Sequence, residues 1–160
     1  GNPFSESYRS VLAMCSSSWT KVFVIAGNHE YYQIKSQRPM SSVDTRIDEV
    51  CSSFSNVYYL RETELELDRV RILGTTLWSA LPLDSHEILT KRNNDFHKIL
   101  VPSEDADLLR PITTSELHEL HLKSVDWLQK KITARASPSR CAIVLSHHAP
   151  SRFMLNRICT

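Results

Sequence analysis

A chain of 160 residues with 41% hydrophobic and 23% charged positions is long enough to bury a core, which excludes disordered and fibrous classes. Nineteen basic and eighteen acidic residues leave a net charge of +1, so composition gives no signal for nucleic-acid binding. No apolar stretch approaches a membrane span, and the N-terminal GNPFSESYRS lacks the basic and apolar regions of a signal peptide. With Gly1 as the natural first residue, the sequence predicts a soluble cytoplasmic protein without a membrane or nucleic-acid partner.

The predicted elements of the first half alternate between helices and strands. SESYRSVLAMCSSSW has helical spacing with Ser5 as N-cap, and the continuous apolar run KVFVIAG predicts a strand buried on both faces of a parallel sheet. SSVDTRIDEVCSSF repeats helically, whereas NVYYL, ELELD and RVRILGTTLW are β-rich. A short helix is expected from His86 to Arg92, within a mixed polar stretch from Pro82 to Pro111.

The second half contains the strongest helix and a second apolar strand. TTSELHELHLKSVDWLQKKI carries its apolar residues on one stripe from Thr113 onward, with Thr114 or Ser115 as the expected N-cap. After the polar RASPSR, CAIVLSHHAPS predicts a second buried strand that ends in polar residues. Together these elements predict an α/β fold layered around a largely buried sheet, with residues 1–160 in a single domain.

Four cysteines, Cys15, Cys51, Cys141 and Cys159, are far apart and form no C-x-x-C pair. This spacing argues against a zinc knuckle or a redox motif and predicts reduced structural thiols. Cys141 lies inside an apolar run, where a free cysteine is expected to act as a small hydrophobic residue.

Both apolar strands end in candidate metal ligands. The first is followed by Asn28, His29 and Glu30, and the second by His147 and His148. Open α/β sheets place ligand sites at the carboxyl ends of strands, and divalent metals accept imidazole nitrogen and amide or carboxylate oxygen. The alternative is structural: an Asn after glycine is a common turn residue, and adjacent histidines can be one buried and one exposed ring.

GNHE after one hydrophobic strand and LSHHAPS after another resemble the motifs of the calcineurin-like metallophosphoesterases. ILGTTLWS and NNDFHKI resemble a strand between these motifs and the loop that follows it in some members. The resemblance implies a layered metallophosphoesterase-like sheet sandwich with flanking helices. It also implies two divalent metal ions, Mn, Fe or Zn, and a phosphate-ester substrate.

The resemblance implies a role for each matched residue. The Asn of the family's GNHE motif is a metal ligand, which implies that Asn28 binds metal through its side-chain oxygen. The following His acts on the phosphate and leaving group, which implies catalysis by His29, with Glu30 orienting its neighbours. The His-x-Pro pattern of other members selects His148 as a metal ligand and places His147 beside it; which of the two binds stays open.

Three further motifs of the family are not recognised: Asp-x-His on the first strand, Gly-Asp on the second and Gly-His-x-His near the end. Asp95-Phe96-His97 has the letters of the first motif but follows LTKRNN instead of a strand, so a loop with a surface or substrate-side role is expected. His118 and His121 lack the spacing of a zincin helix and are expected to be exposed.

The missing motifs are those that the family places before Gly1 and after Thr160, which predicts an incomplete domain: an interior fragment or truncated product of a longer phosphoesterase. Two functions are open. The first is metal-dependent hydrolysis of phosphate esters that needs sequence outside this chain, so that the chain alone is inactive. The second is a non-catalytic protein-interaction module on a degenerate fold. The sequence does not distinguish phosphoprotein, nucleotide, diester and monoester substrates.

Overall fold

The computed structural model describes residues 1–81, 86–105, 108–133 and 141–151, which form a mixed α/β structure. The helices of these residues are α1 (Glu6–Ser18), α2 (Met40–Ser52), α3 (His86–Arg92), α4 (Asp95–Lys98) and α5 (Thr114–Thr133). The strands are β1 (Val22–Val24), β2 (Val57–Tyr59), β3 (Thr63–Leu67), β4 (Val70–Thr75), β5 (Leu100–Pro102), β6 (Leu109–Pro111) and β7 (Cys141–Ser146). The predicted α/β class is confirmed. None of these helices combines the length and apolar character that crossing a bilayer requires.

The described strands form three small sheets. β1 pairs with β2 in parallel, and β5 pairs with β6 in antiparallel fashion. In the third sheet β4 lies between antiparallel β3 and parallel β7, with Val70 opposite Cys141 and Thr75 opposite Ser146. Because β4 and β7 run in the same direction, their carboxyl ends lie side by side.

The prediction that β1 and β7 are buried on both faces was wrong. β1 is half-buried along its length, and β7 is exposed from Cys141 to Val144, with Ile143 retaining 43% and Val144 39% of its accessible surface. Within the described ranges both are edge strands, with β2 and β4 as their respective partners, so fewer neighbours cover them. Cys141 is exposed and does not act as the expected small core residue.

Helix α2 buries the apolar stripe that its periodicity predicts, whereas Val11 on α1 and Ile132 on α5, which lie on the predicted stripes of those helices, are 54% and 55% exposed. Val43, Ile47 and Val50 on α2 are at most 1% exposed and form the centre of the core. Ser5 caps α1 as expected, since its hydroxyl accepts a hydrogen bond from the Tyr8 backbone N–H. On α2, the 3.6-residue pattern of apolar positions therefore identified the face that packs.

Helix α5 begins with a capping box at a residue that was not expected. Thr113 Oγ1 accepts from Glu116 N at 3.2 Å, and the Glu116 carboxylate accepts from Thr113 N at 2.9 Å. Thr114 and Ser115 were expected to cap, but only Thr113 has a glutamate three residues later, which the reciprocal bonds require.

A buried carboxylate joins α2 to the β1–β2 sheet. Asp44 is 5% exposed, and its Oδ1 accepts hydrogen bonds from the hydroxyls of Tyr31 at 2.7 Å and Tyr59 at 2.9 Å. Arg61 NH1 lies 2.9 Å from its other oxygen. Burial raises the pKa of Asp44, and these three partners oppose that shift. Asp44 is therefore a structural carboxylate with a fully bonded environment.

Candidate functional site

The carboxyl ends of β1 and β7 meet and bring Asn28 into contact with His147. Nε2 of His147 lies 3.1 Å from Oδ1 of Asn28, although the two residues are 119 positions apart in sequence. Asn28 opens a single 3-10 turn, Asn28–Tyr31, that follows β1, and His147 directly follows β7. The two polar motifs of the sequence therefore share one site.

Gly27 provides the space for this contact. A Cβ added to Gly27 would lie 2.5 Å from Cε1 and 2.7 Å from Nδ1 of His147. Carbon atoms pack at about 3.5 to 4.0 Å, so any side chain at this position would push the imidazole away. The φ of Gly27 is −100°, which every residue adopts, so glycine is needed here for its size.

His148 faces the segment that follows β4. Its backbone N–H donates to the Thr76 carbonyl at 3.2 Å, and its Nδ1 lies 3.3 Å from the same oxygen. Its ring centre is 5.4 Å from that of Trp78 and 4.8 Å from that of His147. Burial lowers the pKa of His148, while the Thr76 carbonyl opposes this shift. A proton on Nδ1 leaves the Nε2 lone pair available, as in many metal-ligating histidines.

The irregular segment after β4 brings the Thr76 carbonyl against His148. Leu77 has a φ of 49°, in the left-handed region that a leucine seldom adopts. Its N–H donates to Thr75 Oγ1 at 3.1 Å, and Thr76 Oγ1 donates to the Ala26 carbonyl at 2.9 Å. The bond from Thr76 joins the segment after β4 to the segment after β1, so His148 lies against a constrained backbone.

Asp95 is the main site residue that sequence reasoning missed. It is 4% exposed, and its Oδ1 accepts from Asn28 Nδ2 at 2.9 Å and from the Tyr32 hydroxyl at 2.6 Å. The expectation of a loop residue with a surface role was wrong for Asp95, which begins α4, whereas His97 is exposed. The alternative of a substrate-side role stays a prediction. The available signal was the buried apolar pair Phe96 and Ile99, at the spacing of one helical turn.

His29 is exposed beside these residues. Its ring lies 4.6 Å from the ring of Tyr32, whose hydroxyl is held by Asp95. Burial, followed by the Asp95 carboxylate, raises the pKa of Tyr32, which keeps its hydroxyl a donor. The Glu30 carboxylate accepts a hydrogen bond from the Gly27 backbone N–H at 2.8 Å and stabilises the turn.

His118 and His121 on α5 are half-buried, so the expectation that they are exposed was wrong. Their ring centres are 6.0 Å apart, and His121 Nδ1 contacts the Trp78 carbonyl. Nδ1 of His118 is buried without a partner in the described part of the chain. Their stripe faces the protein because α5 packs along its length, and they are not brought into contact with Asn28.

The side chains of Asn28, His147 and His148 fit part of a metal site. Across the described ranges, no three His, Cys, Asp or Glu side chains are grouped to hold a metal ion. Two ligand atoms at a right angle around an ion about 2.1 Å away are separated by about 3.0 Å. The 3.1 Å between Asn28 Oδ1 and His147 Nε2 therefore suits one edge of such a site. Two adjacent divalent ions need anionic ligands as well, which this neutral set does not supply.

Comparison with known proteins shows a similarity to a viral protein. No family model matches the chain, and no solved structure matches it. The chain is 30% identical over 151 residues to a protein of Acanthamoeba polyphaga mimivirus, named "Uncharacterized protein L509". The similarity covers 94% of this chain and 52% of the viral protein, so the chain spans about half the length of this relative.

Proposed function

We propose that this chain is part of a calcineurin-like metallophosphoesterase, a layered sheet sandwich that hydrolyses phosphate esters with two divalent ions, Mn, Fe or Zn. The observation that carries the proposal is the contact between Asn28 and His147, which joins two polar motifs at the ends of two strands. The described residues supply one amide and two imidazoles. The complete enzyme therefore takes its anionic ligands from residues outside the described part of the chain.

Each residue has a role that its surroundings support. Asn28 Oδ1, with His147 and His148, would hold a metal ion, since each of the three side chains makes a hydrogen bond at the site. The bound ions would polarise the phosphate ester and offset the developing negative charge. His29 is exposed beside Asn28 and is placed to transfer a proton to the leaving oxygen of the substrate.

Different observations favour His147 and His148 as the metal ligand. The family pattern His-x-Pro favours His148, and the bond between its Nδ1 and the Thr76 carbonyl orients a ligating Nε2. The contact with Asn28 favours His147. A site that uses both rings is consistent with the 4.8 Å between their centres.

The test is a titration of the purified chain with Mn²⁺, with elemental analysis of bound metal and assays on para-nitrophenyl phosphate and bis-para-nitrophenyl phosphate. We expect one weakly bound ion and little turnover, with binding lost in Asn28→Ala. Asn56→Ala is the matched control, because the Asn56 amide donates to the carbonyls of Ser16 and Trp19 and has no contact with the histidines.

Two outcomes would contradict the proposal. A wild-type chain that binds no Mn²⁺ at saturating concentration would remove the metal site. Robust turnover with two ions per chain, abolished by Asn28→Ala, would show that the chain supplies its own anionic ligands, and Asp95 and His97 would be tested first.

A non-catalytic protein-interaction module is the second candidate. The exposed Ile143 and Val144 of β7 favour it, because an edge strand with apolar side chains can pair with another chain. Sedimentation of wild-type and Ile143→Lys chains separates the two candidates. Association that Ile143→Lys abolishes, in a chain that binds no metal, would favour the interaction module.

A further inference from the structure

We infer that Asp95 is the positioning residue that fixes the amide of Asn28 so that its oxygen faces His147. The inference rests on the proposed function only for its effect on metal binding. The orientation of the amide follows from the hydrogen bonds themselves.

The chemistry of the Asp95 carboxylate determines which atom of the Asn28 amide hydrogen-bonds to it. An ionised carboxylate only accepts hydrogen bonds, so the atom of Asn28 that lies 2.9 Å from Asp95 Oδ1 must be the amide nitrogen. Asn oxygen and nitrogen are otherwise hard to distinguish by shape. The carboxylate therefore selects one of two amide orientations and turns the oxygen to the opposite side, toward His147.

The second amide proton is also accounted for. Asn28 Nδ2 lies 3.3 Å from the Tyr32 hydroxyl oxygen, and the Tyr32 proton goes to Asp95 at 2.6 Å. The Tyr32 oxygen therefore accepts from Asn28. A reversed amide would place its oxygen against the Asp95 carboxylate and lose both bonds. One carboxylate thus determines the orientation of Asn28 directly and through Tyr32.

Asp95 is itself held in place. Its backbone N–H donates to Asn93 Oδ1 at 2.9 Å, and Asn93 Nδ2 donates to its Oδ2 at 3.3 Å. An isolated antiparallel β-bridge pairs the backbone of Tyr32 with that of Ile99 and so joins the segment after Asn28 to the end of α4. The carboxylate and the amide are therefore attached to one rigid unit, as a positioning role requires.

Asp44 provides the comparison with a purely structural carboxylate. It is buried to the same degree and accepts from two tyrosine hydroxyls, whereas Asp95 accepts from one tyrosine and from Asn28, and the partners of Asp44 are not candidate ligands. Loss of the charge at either position should destabilise the chain. Only loss at Asp95 should disturb Asn28.

The experiment compares Asp95→Asn, Asp44→Asn and Tyr32→Phe in the 160-residue chain. The side-chain NH₂ resonances of Asn28, identified by their loss in Asn28→Ala, are followed by ¹⁵N NMR, and Mn²⁺ affinity is measured by titration. Asp95→Asn can offer an amide N–H to Asn28 Oδ1, so we expect shifted resonances and about a 10- to 100-fold loss of Mn²⁺ affinity. Tyr32→Phe should shift the resonances with a smaller loss, and Asp44→Asn should change neither.

The outcomes separate this inference from the proposed function. Unchanged Asn28 resonances in Asp95→Asn would overturn the inference, as would equal losses of Mn²⁺ affinity in Asp95→Asn and Asp44→Asn. If Asp95→Asn does not fold, unchanged Asn28 resonances in Tyr32→Phe would overturn it. Shifted resonances in a chain that binds no Mn²⁺ in any form would support the positioning role and contradict the metallophosphoesterase.

Discussion

Replacing Gly27 by alanine is expected to separate His147 from Asn28 while leaving the fold intact. The new Cβ would lie 2.5 Å from His147 Cε1, so the ring must move by about 1 Å to reach ordinary carbon contact. A shift of that size lengthens the 3.1 Å contact with Asn28 to about 4 Å, beyond hydrogen-bond distance. His147 is exposed and can move into solvent, so the cost in stability should stay within about 0.5 kcal/mol.

Gly74→Ala is the matched control, because Gly74 also ends an apolar run. Its Cβ would lie 2.2 Å from Leu60 Cβ, which is close to the backbone of a residue only 2% exposed. This clash cannot be relieved by a side-chain rotation, so a loss of about 1 to 3 kcal/mol is expected.

Thermal unfolding and Mn²⁺ titration distinguish the two glycine variants. Gly27→Ala should lose about 10-fold or more in Mn²⁺ affinity with little change in melting temperature, because ligand geometry is disturbed and packing is not. Gly74→Ala should melt earlier with unchanged affinity of the folded chain. Wild-type affinity in Gly27→Ala, or equal losses of stability in both variants, would refute the reasoning.

Hydrogen bonding from Arg110 lowers the pKa of Glu116 to about 2, below its unfolded value of about 4.3. The stability that the ionised Glu116 contributes is therefore present above about pH 4.3 and is lost as the pH falls toward 2. Glu116→Gln should flatten this part of the pH–stability curve in urea denaturation, and an unchanged curve would contradict the assignment. In the complete enzyme, His29→Ala should slow hydrolysis by about 10²- to 10⁴-fold, and more for an alkyl phosphate than for para-nitrophenyl phosphate. Equal small losses on both substrates would remove His29 from proton transfer. Alanine at His147 should weaken Mn²⁺ binding more than alanine at His148, and the reverse ranking would support the His-x-Pro alignment.

The elements that the sequence predicted well are those encoded by local patterns, which extend over one or two helical turns. The helical stripe predicted α2, and the short helix His86–Arg92 has the expected bounds. The burial of β1 and β7 was mispredicted because an apolar run does not encode whether a strand is central or at an edge. That position depends on which strands pair, and pairing joins residues far apart in sequence.

The candidate site was predicted only as far as its ligand types. Asn28, His147 and His148 were identified because they follow two apolar runs, which is a local pattern, with His148 favoured over His147 as the ligand. The contact of Asp95 with Asn28 was not predicted, since the two residues lie 67 positions apart in sequence. The space at Gly27 was also not predictable, because it depends on a ring that arrives from β7.

The separation of 119 residues between Asn28 and His147 also determines when the site can form during folding. The β3–β4 hairpin and the helices need only local contacts, whereas β7 must close a long loop to dock against β4. Until it docks, β4 presents an open edge on which another chain can pair. Contact between the Asn28 amide and the His147 ring is therefore a reporter of completed folding, and we expect it among the slowest signals to recover after dilution from denaturant.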